Sequence, residues 1–151
     1  MELWRHFFTL KMIINAENLI LGRLSTVVAK KALMGETINV VNVEKAIIVG
    51  SKDDILHRYE TKRRRGETLH GPYFPRTPER IVRRTIRGML PHKQEKGKLA
   101  YKRIKCYVGI PQDLKDKKIE TIDIAKLSSR HMKYMTIKDL TRYLGAKDYG
   151  N

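Results

Sequence analysis

The run Thr37-Ile38-Asn39-Val40-Val41-Asn42-Val43 constrains this chain more than any other seven residues. Five of the seven are β-branched, and their stiff side chains fit a pleated strand better than a helix. The run is apolar almost without alternation, which suits a strand covered on both faces. Before it, Gly22 to Gly35 carries Leu24, Val27, Val28 and Ala32 at i, i+3, i+4 and i+8, a helical period that Gly35 closes. After it, Ala46 to Val49 reads as another strand, and Ser51-Lys52-Asp53-Asp54 reads as a capping box opening a helix with Ile55, Leu56 and Tyr59 inward. Lys11 to Ala16 and Ile104 to Ile110 add two more apolar runs. Strands alternating with helices predict an α/β domain, a three-layer α/β/α arrangement around a four-stranded, mostly parallel sheet.

At 151 residues the chain is expected to form one domain with extensions. Residues 1–11 read as an N-terminal extension and 12–111 as the α/β body, with a basic helical insertion at 62–98. Residues 112–151 read as a C-terminal arm and helix packed on the same domain. Within that last part, Asp113 to Lys118 reads as a loop and Ile119 to Ile124 as an edge strand or extended arm. Thr136-Ile137-Lys138-Asp139 is a second capping box, whose helix runs through Leu140, Tyr143 and Leu144 to Gly145.

Charge then narrows the function. Lys and Arg total 32 against 16 acidic residues, a net charge of +16. Residues 58–105 hold 16 Lys/Arg against 4 Glu, so three quarters of the excess lies in the middle third. Its centre is Arg76 to Lys98. Thr77 is placed to cap a helix and Pro78 to take the first helical position. Arg80, Arg83, Arg84 and Arg87 follow at i, i+3, i+4 and i+7 on one arc, with Val82, Ile86 and Met89 as an apolar stripe on the other side. Four arginines at that spacing repel one another in bare solvent. They fit an anionic partner, and guanidinium suits bidentate contact with phosphate. Pro91 ends the helix, and a loose tail with His92, Lys93, Lys96 and Lys98 follows around Gly97 as a swivel. Leu99 to Arg103 reads as a short helical turn. Arg63, Arg64 and Arg65 form another basic cluster. Tyr73 and Phe74 lie between the two and are candidates for stacking on unpaired bases. Such a distribution points first to nucleic acid, read through phosphate and shape, with folded RNA favoured over specific DNA.

The other function classes find little support. No apolar run approaches the roughly 18–20 residues that span a bilayer. Cys106 is the sole cysteine, which excludes an internal disulfide and a multi-cysteine zinc site; it reads as a core residue of a protein in a reducing compartment. The histidines show no metal-ligand spacing. Neither phosphate-cradling glycine fingerprint is present. Gly22-Arg23-Leu24-Ser25, at a strand-to-helix turn, is the one alternative, as a phosphate site of an RNA-modifying or phosphoryl-handling enzyme. Ser128, Ser129 and His131 lack an acidic orienter and read as surface or turn residues.

Several stretches together resemble a known family. They are NAENLILGRLSTVVAKKALMGE at 15–36, VVNVEKAIIVGSK at 40–52, RRRG at 63–66, GPYFPRTPERIVRRTIRGMLPHKQEKGK at 71–98 and VGIP at 108–111. In order and spacing they resemble the universal large-subunit ribosomal protein family numbered thirteen, in its archaeal and eukaryotic form. The resemblance covers about two thirds of the chain, and RTIRGMLPHK together with LGRLS is its specific part. It implies an α/β/α domain and a non-enzymatic, structural role. It implies partners too: large-subunit ribosomal RNA, bound early in assembly, and neighbouring ribosomal proteins, in the cytoplasm. No cofactor, metal, membrane, small-molecule substrate or self-association is expected. By position, the RNA-facing residues would be Arg63, Arg64, Arg65, Arg76, Arg80, Arg83, Arg84, Arg87, His92, Lys93, Lys96 and Lys98. Two departures stand out: Met12 looks like the family's usual start, and Glu95 interrupts the basic tail.

Overall fold

The structure, a computed structural model, describes residues 11–128 and 133–147. Residues 1–10, Ser129 and His131 lie outside the described residues. In chain order the elements are β1 (Lys11–Asn15), α1 (Leu21–Leu33), β2 (Thr37–Val41), β3 (Ile47–Val49), α2 (Lys52–Arg64), α3 (Pro78–Gly88), α4 (Glu95–Lys102), β4 (Ile104–Cys106), α5 (Gln112–Lys115), β5 (Tyr134–Thr136) and α6 (Ile137–Tyr143).

The β-branched run of β2 is the central strand. It pairs in parallel with β1 (Met12 opposite Ile38, Ile14 opposite Val40) and with β4 (Ile38 opposite Ile104), in the order β1-β2-β4. The expected four-stranded sheet is therefore corrected to three parallel strands. β3 leaves this sheet and pairs antiparallel with β5, Ile47 opposite Thr136 and Val49 opposite Tyr134. The cause is connection length. Only residues 42–46 separate β2 from β3, and a parallel crossover needs a dozen or more. Asn42, in the left-handed region at φ 54°, opens a 3₁₀ turn over Val43–Lys45 that turns the chain away instead. The position beside β1 is taken by the C-terminal arm. The Asn15 amide donates to the Glu120 carbonyl at 2.9 Å and the Glu120 amide to the Ile13 carbonyl at 2.8 Å, a single parallel bridge.

The two faces of the sheet are covered unequally. Ile14, Ile38, Val40 and Ile104 point to one face and share a continuous buried core with α1, α3, α4 and α6. On the other face Ile13 and Val41 pack against Leu114 of α5, with Tyr107, Ile110 and Ile119 at its margin. The second helical layer is thus one short turn of helix where the expected loop 113–118 lay.

Local chemistry sets the element ends. The Asp54 amide donates to Ser51 Oγ and the Asp139 amide to Thr136 Oγ1, at 3.3 and 3.2 Å, so both expected caps form, with each carboxylate accepting from the cap hydroxyl rather than from its main-chain N–H. At the end of α1, Gly35 takes φ 104°, its amide donates to the Ala32 carbonyl, and the Glu36 amide reaches the Lys31 carbonyl, a Schellman closure. The expected cap on α3 differs. Thr77 has an extended backbone and its carbonyl accepts from Ile81, but its hydroxyl is buried without a partner. Pro78 at the first helical position has no N–H to leave unpaired, and the Glu79 and Arg80 amides, which that hydroxyl could serve, are not bonded to it.

The loose tail is also corrected. Residues 95–102 are α4, longer than the expected turn at 99–103. Gly97 is buried inside it, and a Cβ there would sit 2.1 Å from the Pro91 carbonyl oxygen. Gly97 is a close-packing point that draws α4 against the end of α3, not a swivel.

Candidate nucleic-acid interface

Helix α3 carries the strongest pattern. Val82 and Ile86 are buried as expected, while the third member of the stripe, Met89, is 42% exposed. The helix stops at Gly88 with Met89 as its cap, so the i+7 continuation no longer holds; Ile81 and Leu90 complete the buried face. Met89 Sδ instead accepts from Thr26 Oγ1 on α1 at 3.4 Å.

The arginine arc is less uniform than its spacing. Arg80 is exposed, whereas Arg83, Arg84 and Arg87 are half-buried. The Arg83 guanidinium lies over the Tyr101 ring of α4, 4.3 Å from its centroid, with Nε buried and unpartnered. The Arg84 guanidinium lies over Phe74, 4.7 Å from its centroid. Each is fixed by a ring from outside α3. Cation–π contact of this kind is worth about 0.5–1 kcal/mol at exposed sites and more when desolvated.

The two aromatic candidates separate. Tyr73 is 69% exposed, and its hydroxyl donates to the Thr68 carbonyl at 2.7 Å. Phe74 is half-buried, edge-on to Tyr59 of α2 at 5.8 Å, with Lys62 Nζ 5.8 Å from its centroid and Arg84 on it. Only Tyr73 offers a ring to a base.

The arginines at the end of α2 also separate, because consecutive helical residues splay by about 100° each. Arg63 Nη1 donates to the Leu144 carbonyl at the end of α6, 3.1 Å away. Arg64 pairs with Glu60 at 2.6 Å. Arg65 lines an open cleft of about 450 Å³ with Asp54, His57, Arg58, Thr61 and Lys62. Arg58, Lys62 and Arg65 stand at i, i+4 and i+7, a basic face that the contiguous triplet Arg63–Arg65 hid. Helical spacing was the signal that would have found Arg58 and Lys62. Burial, together with Arg58, Arg84 and Arg65, pushes the Lys62 ammonium below the ordinary lysine range.

Beyond α3, Arg76, His92, Lys93, Lys96 and Lys98 are all exposed. They do not form one cluster. Lys96 and Lys98 are two residues apart on α4, which places them on different faces. A cavity of about 250 Å³ lies between α3 and the edge of β4, lined by Glu79, Arg80, Arg83, Lys105, Cys106 and Tyr107. Burial pushes the Cys106 thiol up to about 12, with Arg83 acting against it and Glu79 with it. A thiol so held is inert rather than nucleophilic.

The alternative phosphate turn does not assemble. Gly22 lies exposed in the first turn of α1, but Ser25 is fully buried with an unpartnered hydroxyl and is out of reach of a ligand there. Among the described residues no group of three His, Cys, Asp or Glu could hold a metal. None of their helices is long and apolar enough to cross a membrane.

Comparison with known proteins agrees with this basic α/β body. The profile of the family described as ribosomal protein L13 matches residues 10–113. The chain is 48% identical over 135 residues to the large ribosomal subunit protein uL13 of Archaeoglobus fulgidus, covering 88% of this chain and 86% of that one. It is 47% identical over 138 residues to uL13 of Methanococcoides burtonii, and 46% identical over 140 to that of Methanocaldococcus jannaschii; each match covers 89% of this chain and 98% of the relative. With a profile match over most of its length and relatives nearly half identical across nearly nine tenths of it, the chain belongs to the ribosomal protein L13 family.

Proposed function

We propose that this protein is a structural, non-catalytic component of the large ribosomal subunit that binds large-subunit ribosomal RNA, early in assembly, through Arg and Lys contacts with phosphates. The observation that carries the reading is α3, which buries one face in the core and turns four arginines to the other, two of them held against aromatic rings. A guanidinium held in place suits phosphate, because little side-chain freedom is left to lose on binding. The names of the relatives support the same subunit. In this reading Arg80, Arg83, Arg84 and Arg87 form the main contact, joined by Arg65, Arg76, His92, Lys93, Lys96 and Lys98, with Tyr73 available to one unpaired base. Arg63 acts chiefly within the fold, whereas Arg64, paired with Glu60 but largely exposed, joins the phosphate contacts. The setting is the cytoplasmic ribosome, where neighbouring ribosomal proteins are the other partners and the chain does not self-associate. The burial of Ser25 removes the support for a phosphoryl-handling site at Gly22.

The test is binding of the purified chain to large-subunit ribosomal RNA across a salt series. Affinity is expected to fall steeply, by roughly 0.7–0.9 log units per log unit of salt for each phosphate contact. In gradients of cell extract the protein is expected to travel with the large subunit. Recovery only in ribosome-free fractions of growing cells would sink the reading.

A further inference from the structure

Two basic faces, on α2 and on α3, meet at one side chain. Phe74 lies between them, edge-on to Tyr59 of α2, with Arg84 of α3 over its ring and Lys62 of α2 beside it. Lys62 also lies 5.1 Å from the Tyr59 ring centroid. Lys62 shares its cleft with Arg58 and Arg65, and Asp54, the one carboxylate lining that cleft, is engaged by Ser51 in the α2 cap. Lys62 and Arg84 thus meet from two helices at the same ring, and Arg58 and Arg65 share the cleft of Lys62. Like charges gathered this way repel one another, and Lys62 registers it, since Arg58, Arg84 and Arg65 all disfavour its charged form. Packing holds an arrangement that electrostatics opposes, which is the signature of a surface made for an anion.

Resting on the RNA-binding reading above, we propose that Arg58 and Lys62 of α2, Arg65 at its C-terminal cap and Arg84 of α3 form one subsite for a stretch of RNA sugar-phosphate backbone. In it Phe74 is the positioning residue that sets Arg84 against Lys62. The subsite shares Arg84 with the outward arc of Arg80, Arg83 and Arg87 and extends that arc onto α2. It joins two elements that are otherwise separate RNA contacts, so the strand it holds crosses from α2 to α3. Phe74 itself touches no RNA; it fixes the spacing of the two cations.

The experiment is a double-mutant cycle on the full chain, measured by affinity for large-subunit ribosomal RNA over a salt series. Lys62→Met and Arg84→Met keep most of each side chain's apolar bulk and remove the charge. Each is expected to weaken binding roughly ten- to a hundredfold, as for loss of a hydrogen bond to a charged group, and to lower the salt slope by about 0.7–0.9. Together they are expected to cost less than the product of the two, because the partners serve one strand. Lys115→Met, on exposed α5, serves as the control. Phe74→Leu is expected to weaken binding about two- to fivefold with the salt slope unchanged, and Phe74→Tyr to restore it; a purely structural role would shift the melting temperature without this pattern. If Lys62→Met and Arg84→Met match the control, or if their effects simply multiply, the subsite is overturned while the RNA reading stands. Wild-type protein that fails to bind the RNA overturns the ribosomal reading and the subsite with it.

Discussion

Arg83 and Arg84 are adjacent and alike, yet each is fixed by a different neighbour, Tyr101 and Phe74. Their value as cations depends on rings that no spacing rule connects to them, so this part of the site could not be read from the sequence. The glycines show the same dependence on context. Gly97 abuts the Pro91 main chain, so Gly97→Ala must move backbone and is expected to destabilise the protein by about 1–3 kcal/mol. Gly88 has open space around its Cβ position and ends α3 in helical geometry, so Gly88→Ala is expected to stabilise by about 0.4–1 kcal/mol. Urea melts of the two variants should move in opposite directions; a Gly97→Ala protein as stable as the wild type would refute the packing assigned to Gly97. Cys106 adds a chemical reading. It is half-buried in the wall of the α3–β4 cavity, and with its thiol raised to about 12 it is expected to react slowly with thiol reagents at pH 8 in the folded protein and faster once urea unfolds it. Equal labelling rates in the native and unfolded protein would contradict that raised pKa.

At the scale of elements, α3 was legible because its sequence satisfies two demands at once, an apolar period for the core and a cationic one for the partner. What the periodicity missed was its end. Ile86 is fully buried and Met89 caps the last turn, so Ile86→Ala is expected to cost about 2–5 kcal/mol and Met89→Ala much less, as chemical denaturation would measure. The α2 terminus carries the opposite lesson. A run of three arginines reads as one patch, but a helix distributes it: Arg63 to α6, Arg64 to Glu60 and Arg65 to the cleft. Arg63→Ala is therefore expected to lower the melting temperature while leaving the RNA affinity within about twofold, since one tether worth about 1 kcal/mol is lost. A large affinity loss without any change in melting would show that Arg63 faces the RNA. The stretch 92–98 resisted reading because its order comes from a close contact at Gly97 rather than from propensity.

For the whole molecule, fold class and the central strand were plain from the sequence, because continuous β-branched runs separated by helical periods admit few architectures. The strand count was not, although its cause was visible. Five residues between β2 and β3 cannot make a parallel crossover, and counting the connection would have excluded the fourth parallel strand. The partners of β1 and β3 were harder to see, because the short pieces at Glu120 and Tyr134–Thr136 carry too little pattern to announce themselves. That pairing has a consequence for how the chain is made. The edges of β1 and β3 wait for partners supplied towards the C-terminus, after the three parallel strands and α1 to α4 have been synthesised. At roughly 5–20 residues per second, the thirty residues from Cys106 to Thr136 take about 1.5–6 s to add. Throughout that interval a nascent chain carries open strand edges beside a strongly cationic face, and premature termination after β4 would leave it so permanently.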